Sequence, residues 1–318
     1  MSRTIEIVSP AQTIRGGNTV TAARWSAIFR DLGWEVFEDA VWSGRPCDVL
    51  LALHARRSHD SIVRFSKAHP DRPLIVAASG TDVYGDVSIS AEARDSFERA
   101  TRIVVLQPRA IERLPESTRS RARVVYQSVE VSKRRPPKVE GAFQACSIAH
   151  LRSVKDPLLP ARAARLLPAS SRLRVVHLGS VIEESLRGDV EREQRENPRF
   201  LWLGERSREE AFDVLARSHL FVSSSRHEGG SNALSEALAL GVPVLSTAIP
   251  GSEGLLGNDH PGLFPVGDER RLAELLSRAE TDREFLRSLQ DRSAALAVLT
   301  DPARERESWR ALLEEVAG

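Results

Sequence analysis

Glu228 and Glu236 are separated by seven residues in the segment EGGSNALSE, directly after the apolar run HLFVSS at His219 to Ser224. An ionised carboxylate only accepts hydrogen bonds, so each of the two can hold a vicinal pair of hydroxyls. Between them, Gly229 and Gly230 let a ligand approach the backbone closely, and free N–H groups from Ser231 and Asn232 onward suit a phosphate if a helix begins there. A ligand with hydroxyls at both ends and phosphate in the middle is a nucleotide sugar. A capping box would place Glu or Gln three residues after its Ser or Asn. Leu234 and Ser235 occupy those places, so capping does not account for Glu236. A solvated loop charge at Glu228 and an exposed helix charge at Glu236 are the plainer readings.

Other polar clusters have the same strand-then-loop setting. In HLRSVKDP, from His150 to Pro157, Arg152 offers a fork of donors and Lys155 a point charge, a pairing that neutralises a diphosphate. Near the N-terminus Gly16, Gly17 and Asn18 lead into a helix with Thr19 and Thr21 in its first turn, although the spacing is not GxGxxG. His54, Ala55, Arg56, Arg57 and Ser58 follow one apolar run, and Ser79, Gly80, Thr81 and Asp82 follow the next. Two arginines with hydroxyl and imidazole donors suit a small, strongly anionic acceptor better than a long neutral glycan. Gly204 and Glu205 end LWLGE after another apolar run, with Arg206 beside them.

These loops need a scaffold that brings strand ends together. Leu220 to Val222 form a short apolar run suited to a buried parallel strand, and Leu234, Ala237 and Leu238 then take up helical spacing until Gly241. The same alternation runs along the chain. Strands are expected at Thr4 to Val8, Trp34 to Glu38, Asp48 to Leu53, Leu74 to Ala78, Arg102 to Leu106 and Arg123 to Tyr126, with helices near Thr19 to Leu32, His59 to Ala68, Ala91 to Ala100 and Arg109 to Leu114. The second half repeats it, with strands at Phe143 to Ala149, Leu173 to His177, Arg199 to Leu203, Leu220 to Ser223 and Pro243 to Ser246. Helices follow near Pro157 to Leu167, Glu183 to Glu196, Arg208 to Arg217 and Asn232 to Leu240, and the tail from Glu269 to Val316 is helical with a break at Asp301 and Pro302. Charge and prolines in VSKRRPPKVEG, Val131 to Gly141, mark a linker. The expectation is α/β: an N-terminal acceptor-side Rossmann-like domain over 1–135, a C-terminal donor-binding one over 136–300, and a last helix over 301–318.

Bulk properties narrow the classes. The 318 residues carry 45 Lys plus Arg against 44 Asp plus Glu, a net charge of +1 that argues against a nucleic-acid partner. No apolar stretch approaches the ~20 residues that span a bilayer, and MSRTIEIVSP lacks a signal-peptide core, so a cytoplasmic enzyme is expected with no membrane partner. Cys47 and Cys146 have no metal-like or CxxC spacing, so no metal is expected.

The strand, the Glu-x7-Glu loop and the helix ending in GVPV resemble the donor motif of retaining glycosyltransferases of family 4, which have the GT-B fold: two doubly wound Rossmann-like domains facing a cleft. The resemblance implies that Glu228 contacts the donor sugar, Glu236 the ribose, and Lys155 the diphosphate. Where that family carries an Arg five residues before the Lys, this chain has His150, with Arg152 two residues later. It also implies that Gly17 and Asn18 face donor phosphates and acceptor, that the peptide groups of LWLGE with Arg206 read the edge of the base, and that the last helix crosses back to the first domain through Trp309 and Leu312. Within that family GGNTVTAARW, LLALHARRSHDSI, SGTDVY, HLRSVKDP, WLGE, SSSRHEGGSNALSEA and FPVGD resemble the selenosugar synthases of selenoneine biosynthesis. That likeness implies transfer of N-acetylglucosamine or glucose from a UDP-sugar cosubstrate to selenophosphate, with no permanently bound cofactor. On this reading Lys155 and Arg152 stabilise the leaving diphosphate, His54 or Asp82 positions the acceptor, and Arg56, Arg57, Ser58, Gly80, Thr81 and Asp82 bind it. A conventional family 4 enzyme acting on another small molecule or glycan, a sugar-nucleotide epimerase and a non-catalytic sugar-binding protein are the competing readings.

Overall fold

The structure, a computed structural model, describes residues 3–10, 17–78, 80, 83, 84, 90–131 and 136–318. The chain divides into two compact units, one of residues 1–128, 228–230 and 302–318 and the other of residues 129–227 and 231–301.

In the first unit the order is β1 (Thr4–Val8), α1 (Gly17–Asp31), β2 (Glu35–Asp39), β3 (Val49–Leu53), α2 (His59–Ala68), β4 (Leu74–Ala78), α3 (Ala91–Arg99), β5 (Arg102–Val105) and β6 (Ala122–Val124). The second unit holds β7 (Phe143–Ile148), α4 (Leu159–Arg165), β8 (Leu173–Leu178), α5 (Arg187–Glu196), β9 (Phe200–Trp202), α6 (Arg208–Arg217) and β10 (Leu220–Ser223). It continues with α7 (Asn232–Ala239), β11 (Val244–Thr247), α8 (Pro250–Leu256), β12 (Leu263–Phe264), α9 (Glu269–Thr281) and α10 (Arg283–Leu296), and α11 (Pro302–Ala317) returns to the first unit.

Each unit has a six-stranded sheet of parallel pairs. The orders are β2-β1-β3-β4-β5-β6 and β12-β11-β10-β7-β8-β9, both doubly wound. A parallel sheet needs cover on both faces, and β3 (VLLAL) and β4 (LIVAA) are accordingly buried at every position. Successive side chains then divide between two cores. Leu50 and Ala52 join Ile62, Phe65 and Phe97, whereas Val49, Leu51 and Leu53 join Trp25 and Phe29 of α1 together with Trp309, Leu312 and Leu313 of α11.

The elements differ from expectation where the pattern is short. The helix expected at Arg109 to Leu114 is a tight 3-10 turn, Pro108–Arg113, capped by the Gln107 amide oxygen accepting from Arg109 N at 2.7 Å. The stretch expected from Glu183 opens as another such turn, Glu184–Leu186, and becomes α-helical only at Arg187. Helix α8 and the two-residue β12 had no signal, since PGSEGLL carries two glycines and two residues cannot show an alternation.

The C-terminal helix is held by a buried polar knot. Glu305, 1% exposed, accepts from Trp25 Nε1 at 2.7 Å, Arg24 Nε at 3.0 Å, Ser128 N at 2.9 Å and the Ser128 hydroxyl. One helical turn on, the Trp309 ring meets Trp25 and Phe29 edge-on, each at 4.8 Å between centroids. Trp309→Ala empties that corner, and chemical denaturation is expected to show a loss of about 3–5 kcal/mol.

Candidate functional site

In the second sheet the strand order reverses between β7 and β10, which pair with Leu220 opposite Ala145 and Phe221 opposite Cys146. Connections leave these two strands in opposite directions, which opens a crevice at their carboxyl ends, the usual ligand position of doubly wound sheets. His150, Arg152 and Lys155 follow β7, and Ser223 to Ser225 close β10.

The loop after β7 is closely bonded. His150 Nδ1 lies 2.8 Å from Ser180 Oγ, and Leu151 bridges to Val181. Half-buried Arg152 opens the tight turn Ser153–Lys155. Its charge has an acidic neighbour that the sequence did not reveal: Glu183 accepts from Ser153 N at 2.9 Å and from the Ser153 hydroxyl. Those two hydrogen bonds, with the Arg152 charge behind them, hold the Glu183 carboxyl below its usual range. Lys155 is half-buried, and beside it Ser224 Oγ shares its hydrogen bond between the Lys155 and Asp156 carbonyls, each at 2.9 Å.

Helix α7 begins where the periodicity placed it. Ser231 caps it by accepting from Leu234 N at 3.3 Å. At its end Gly241, with φ 65°, donates to Leu238 O at 2.9 Å while Val242 N donates to Ala237 O at 2.9 Å, a Schellman ending that needs the glycine. Half-buried Glu236 sits in the second turn and takes no part in the cap. Burial pushes the Cys146 thiol of β7 up to about 12, and the Glu236 charge adds to the rise. That carboxylate is therefore within electrostatic reach of β7.

The Glu-x7-Glu segment itself is divided, since residues 228–230 belong to the first unit and 231 onward to the second. Within the first unit a Cβ on Gly230 would lie 2.7 Å from Leu106 Cβ and 3.3 Å from Gln127 Oε1, so packing by itself demands glycine there. Glu228 is half-buried and Gly229 buried. At the LWLGE segment the Gly204 carbonyl accepts from Gly179 N at 2.9 Å and Trp202 Nε1 donates to Gly179 O at 3.0 Å, while Glu205 is exposed. Arg206 lines a groove of about 470 Å³ along α6 that includes none of the donor candidates.

In the first unit the acceptor candidates fall at the carboxyl ends of β3 and β4. His54 is 3% exposed and has φ 70°, a left-handed conformation that a non-glycine residue adopts only when its surroundings enforce it. Its N donates to Ala77 O at 3.0 Å and its carbonyl accepts from Ser58 N at 3.0 Å. The buried Ser58 hydroxyl donates to Leu53 O at 2.6 Å, so it serves the turn itself. This knot leaves Arg56 and Arg57 exposed, with Arg56 close enough to Glu92 to help lower its carboxyl, behind the Ser90 hydroxyl. The half-buried Gly80 accepts from Val83 N at 3.1 Å. Thr81 and Asp82 lie outside the described residues, as does Gly16, whereas Gly17 and Asn18 are the first two residues of α1.

A family model, glycosyl transferases group 1, matches residues 128–295, just over half of the chain and nearly all of the unit built on β7 and β10. The chain belongs to this glycosyl transferase family. Among curated proteins it is 29% identical over 143 residues to glycosyltransferase 1 domain-containing protein 1 of Xenopus tropicalis, spanning 45% of this chain and 41% of that one. It is 29% identical over 154 residues to a GDP-mannose-dependent alpha-mannosyltransferase of Mycobacterium tuberculosis, spanning 48% of this chain and 36% of that protein. The matches thus span well under half the length of either relative. Among solved structures it resembles Anabaena Alr3699/HepE in complex with UDP and glucose, with a TM-score of 0.75 at 15% identity, over 98% of this chain and 100% of that one. At that identity the likeness speaks for the fold, which is the GT-B type of the glycosyl transferases.

Among the described residues no group of three or more His, Cys, Asp or Glu side chains is arranged to hold a metal ion, and no helix there is long and apolar enough to cross a membrane. The second unit carries two buried histidines. Burial pushes His177, whose Nε2 lies 2.9 Å from Ala149 O beside the His150 loop, down to about 4, and burial with the Arg292 charge does the same to His260. Both stay neutral in the folded state, whereas the unfolded chain binds their protons near the ordinary value of about 6.5. Stability contributed by the neutral form is complete above that value and is lost as pH falls toward about 4. Urea denaturation across this range is expected to show unfolding free energy falling with pH, and His177→Gln to flatten the slope by close to one proton.

Proposed function

We propose that the chain transfers a sugar from a uridine diphosphate sugar to a small anionic acceptor. The observation that carries this reading is the pairing, at the β7–β10 switch point, of the Lys155 turn with the loop that leads into α7 and Glu236. A cationic side chain and a capped helix start suit a diphosphate, and a half-buried carboxylate near β7 suits ribose hydroxyls. Glu228 would hold the sugar hydroxyls. On the first unit, exposed Arg56 and Arg57 suit a compact anion, and the Ser58 hydroxyl ties the turn that presents them to Leu53 O.

The finer reading is N-acetylglucosamine or glucose as the sugar and selenophosphate as the acceptor, resting on the likeness of HARRS, SGTD and the accompanying segments to the selenosugar synthases. In the reaction a selenium lone pair attacks the anomeric carbon and a carbon–selenium bond forms. The carbon–oxygen bond to the diphosphate breaks, and its electron pair departs on UDP. Selenium is already a strong nucleophile, so on this reading the protein's task is charge stabilisation by Lys155 and Arg152 and alignment of the acceptor.

The mannosyltransferase relative favours one rival, a conventional glycosyltransferase with another nucleotide sugar. The enzyme incubated with UDP-N-acetylglucosamine, UDP-glucose or GDP-mannose, each with selenophosphate or with an alcohol acceptor, is read by mass spectrometry. A selenium-bearing sugar formed from a UDP donor supports the proposal. Transfer to the alcohol alone, or from GDP-mannose alone, overturns it. Glu236→Ala is expected to weaken UDP binding by about tenfold or more in calorimetry, as for a lost charge-assisted hydrogen bond. Arg56→Ala is expected to raise the acceptor KM and leave the UDP affinity in place.

A further inference from the structure

The turn that carries Lys155 is held far more tightly than a solvated basic loop requires. The backbone leaves Lys155 through Asp156 in the left-handed region, φ 42° and ψ 57°, one of two described non-glycine residues with positive φ. Such a conformation persists where its surroundings over-determine it. Here the carbonyls of three consecutive residues are tied to the loop after β10: Arg226 N donates to Val154 O at 2.8 Å, and Ser224 Oγ reaches Lys155 O and Asp156 O at 2.9 Å each. The Asp156 side chain, 8% exposed, lies between Arg226 Nη2 at 2.7 Å and Arg162 Nη2 at 3.1 Å. Arg162 is steadied in turn by Glu269 at 3.0 Å, and Thr247 Oγ1 donates to Ser225 O at 2.6 Å from the neighbouring strand.

A charge with a flexible four-carbon stem meets a diphosphate reproducibly only if its Cα is fixed. We propose that Asp156, clamped by Arg226 and Arg162 and seconded by Ser224, is a positioning residue that holds Lys155 where its ammonium meets the donor diphosphate. This inference rests on the donor reading above. Asp156 has no contact with the nucleotide in this scheme, and it acts through Lys155.

The test is titration calorimetry of the full chain with uridine diphosphate and uridine monophosphate, which differ by the phosphate Lys155 would serve. Asp156→Asn preserves size and tolerates the left-handed backbone, while Ser224→Ala removes the hydroxyl tie without changing charge. Both are expected to lower the preference for diphosphate over monophosphate, Asp156→Asn by about tenfold, the size of one charge-assisted hydrogen bond. Lys155→Ala should lower it at least as far, and adding Asp156→Asn to Lys155→Ala should lower it no further. The positioning role is overturned if Asp156→Asn weakens both nucleotides equally, or if its full effect persists in the Lys155→Ala background. A wild-type protein that binds the two nucleotides equally overturns the donor reading and the inference with it, a result recognisable before any variant is made.

Discussion

A parallel strand pair can be joined only by a crossover that returns the chain to the starting edge, and both sheets are built of such pairs. Every strand therefore ends at one edge, and the loops that follow β7 and β10 become neighbours although they lie some seventy residues apart in sequence. The contacts around the Lys155 turn follow from that constraint. Ser224 can reach the carbonyls beside Lys155, and Arg226 can reach Asp156, because β7 and β10 are adjacent parallel strands whose ends lie side by side.

The same constraint makes the sheet interiors apolar and sends unavoidable polar groups into closed networks. Where a charge is buried, it is surrounded by donors. Glu305 accepts from four donors beneath α11, and Asp156 has two guanidinium partners. A buried charge that loses such partners is costly, so these clusters favour one arrangement of the backbone around them. His177 meets the same demand by staying neutral, with one ring nitrogen at the Ala149 carbonyl.

Much of the fold was legible because hydrophobic periodicity is a local property. Leu220 to Ser223 and Asn232 to Ala239 fell within a residue of their expected limits, since each has a continuous apolar face and a punctuating Ser or Gly. Expectation failed where pattern was too short, as at β12 and over the six residues Pro108–Arg113. At the candidate site the charged residues were conspicuous, but their partners were not. Asp156 reads as an ordinary loop acid in KDP, Glu183 as a surface charge and Glu305 as one of several in RERES, and only packing sets them apart. Gly230 was noticed as room for a ligand, yet its neighbours Leu106 and Gln127 already exclude a side chain.

Residue order was sufficient for the α/β class, for most strands and helices, and for the types of group that meet a nucleotide sugar, because these depend on spacing within about a dozen residues. Tertiary structure alone decided which strands adjoin, that Glu228 and Glu236 belong to different compact units, that Ser58 spends its hydroxyl on Leu53, and that Asp156 lies between two arginines. Those outcomes depend on contacts between residues far apart along the chain, and such contacts exist only once the hydrophobic faces have been buried and the remaining polar groups must find partners.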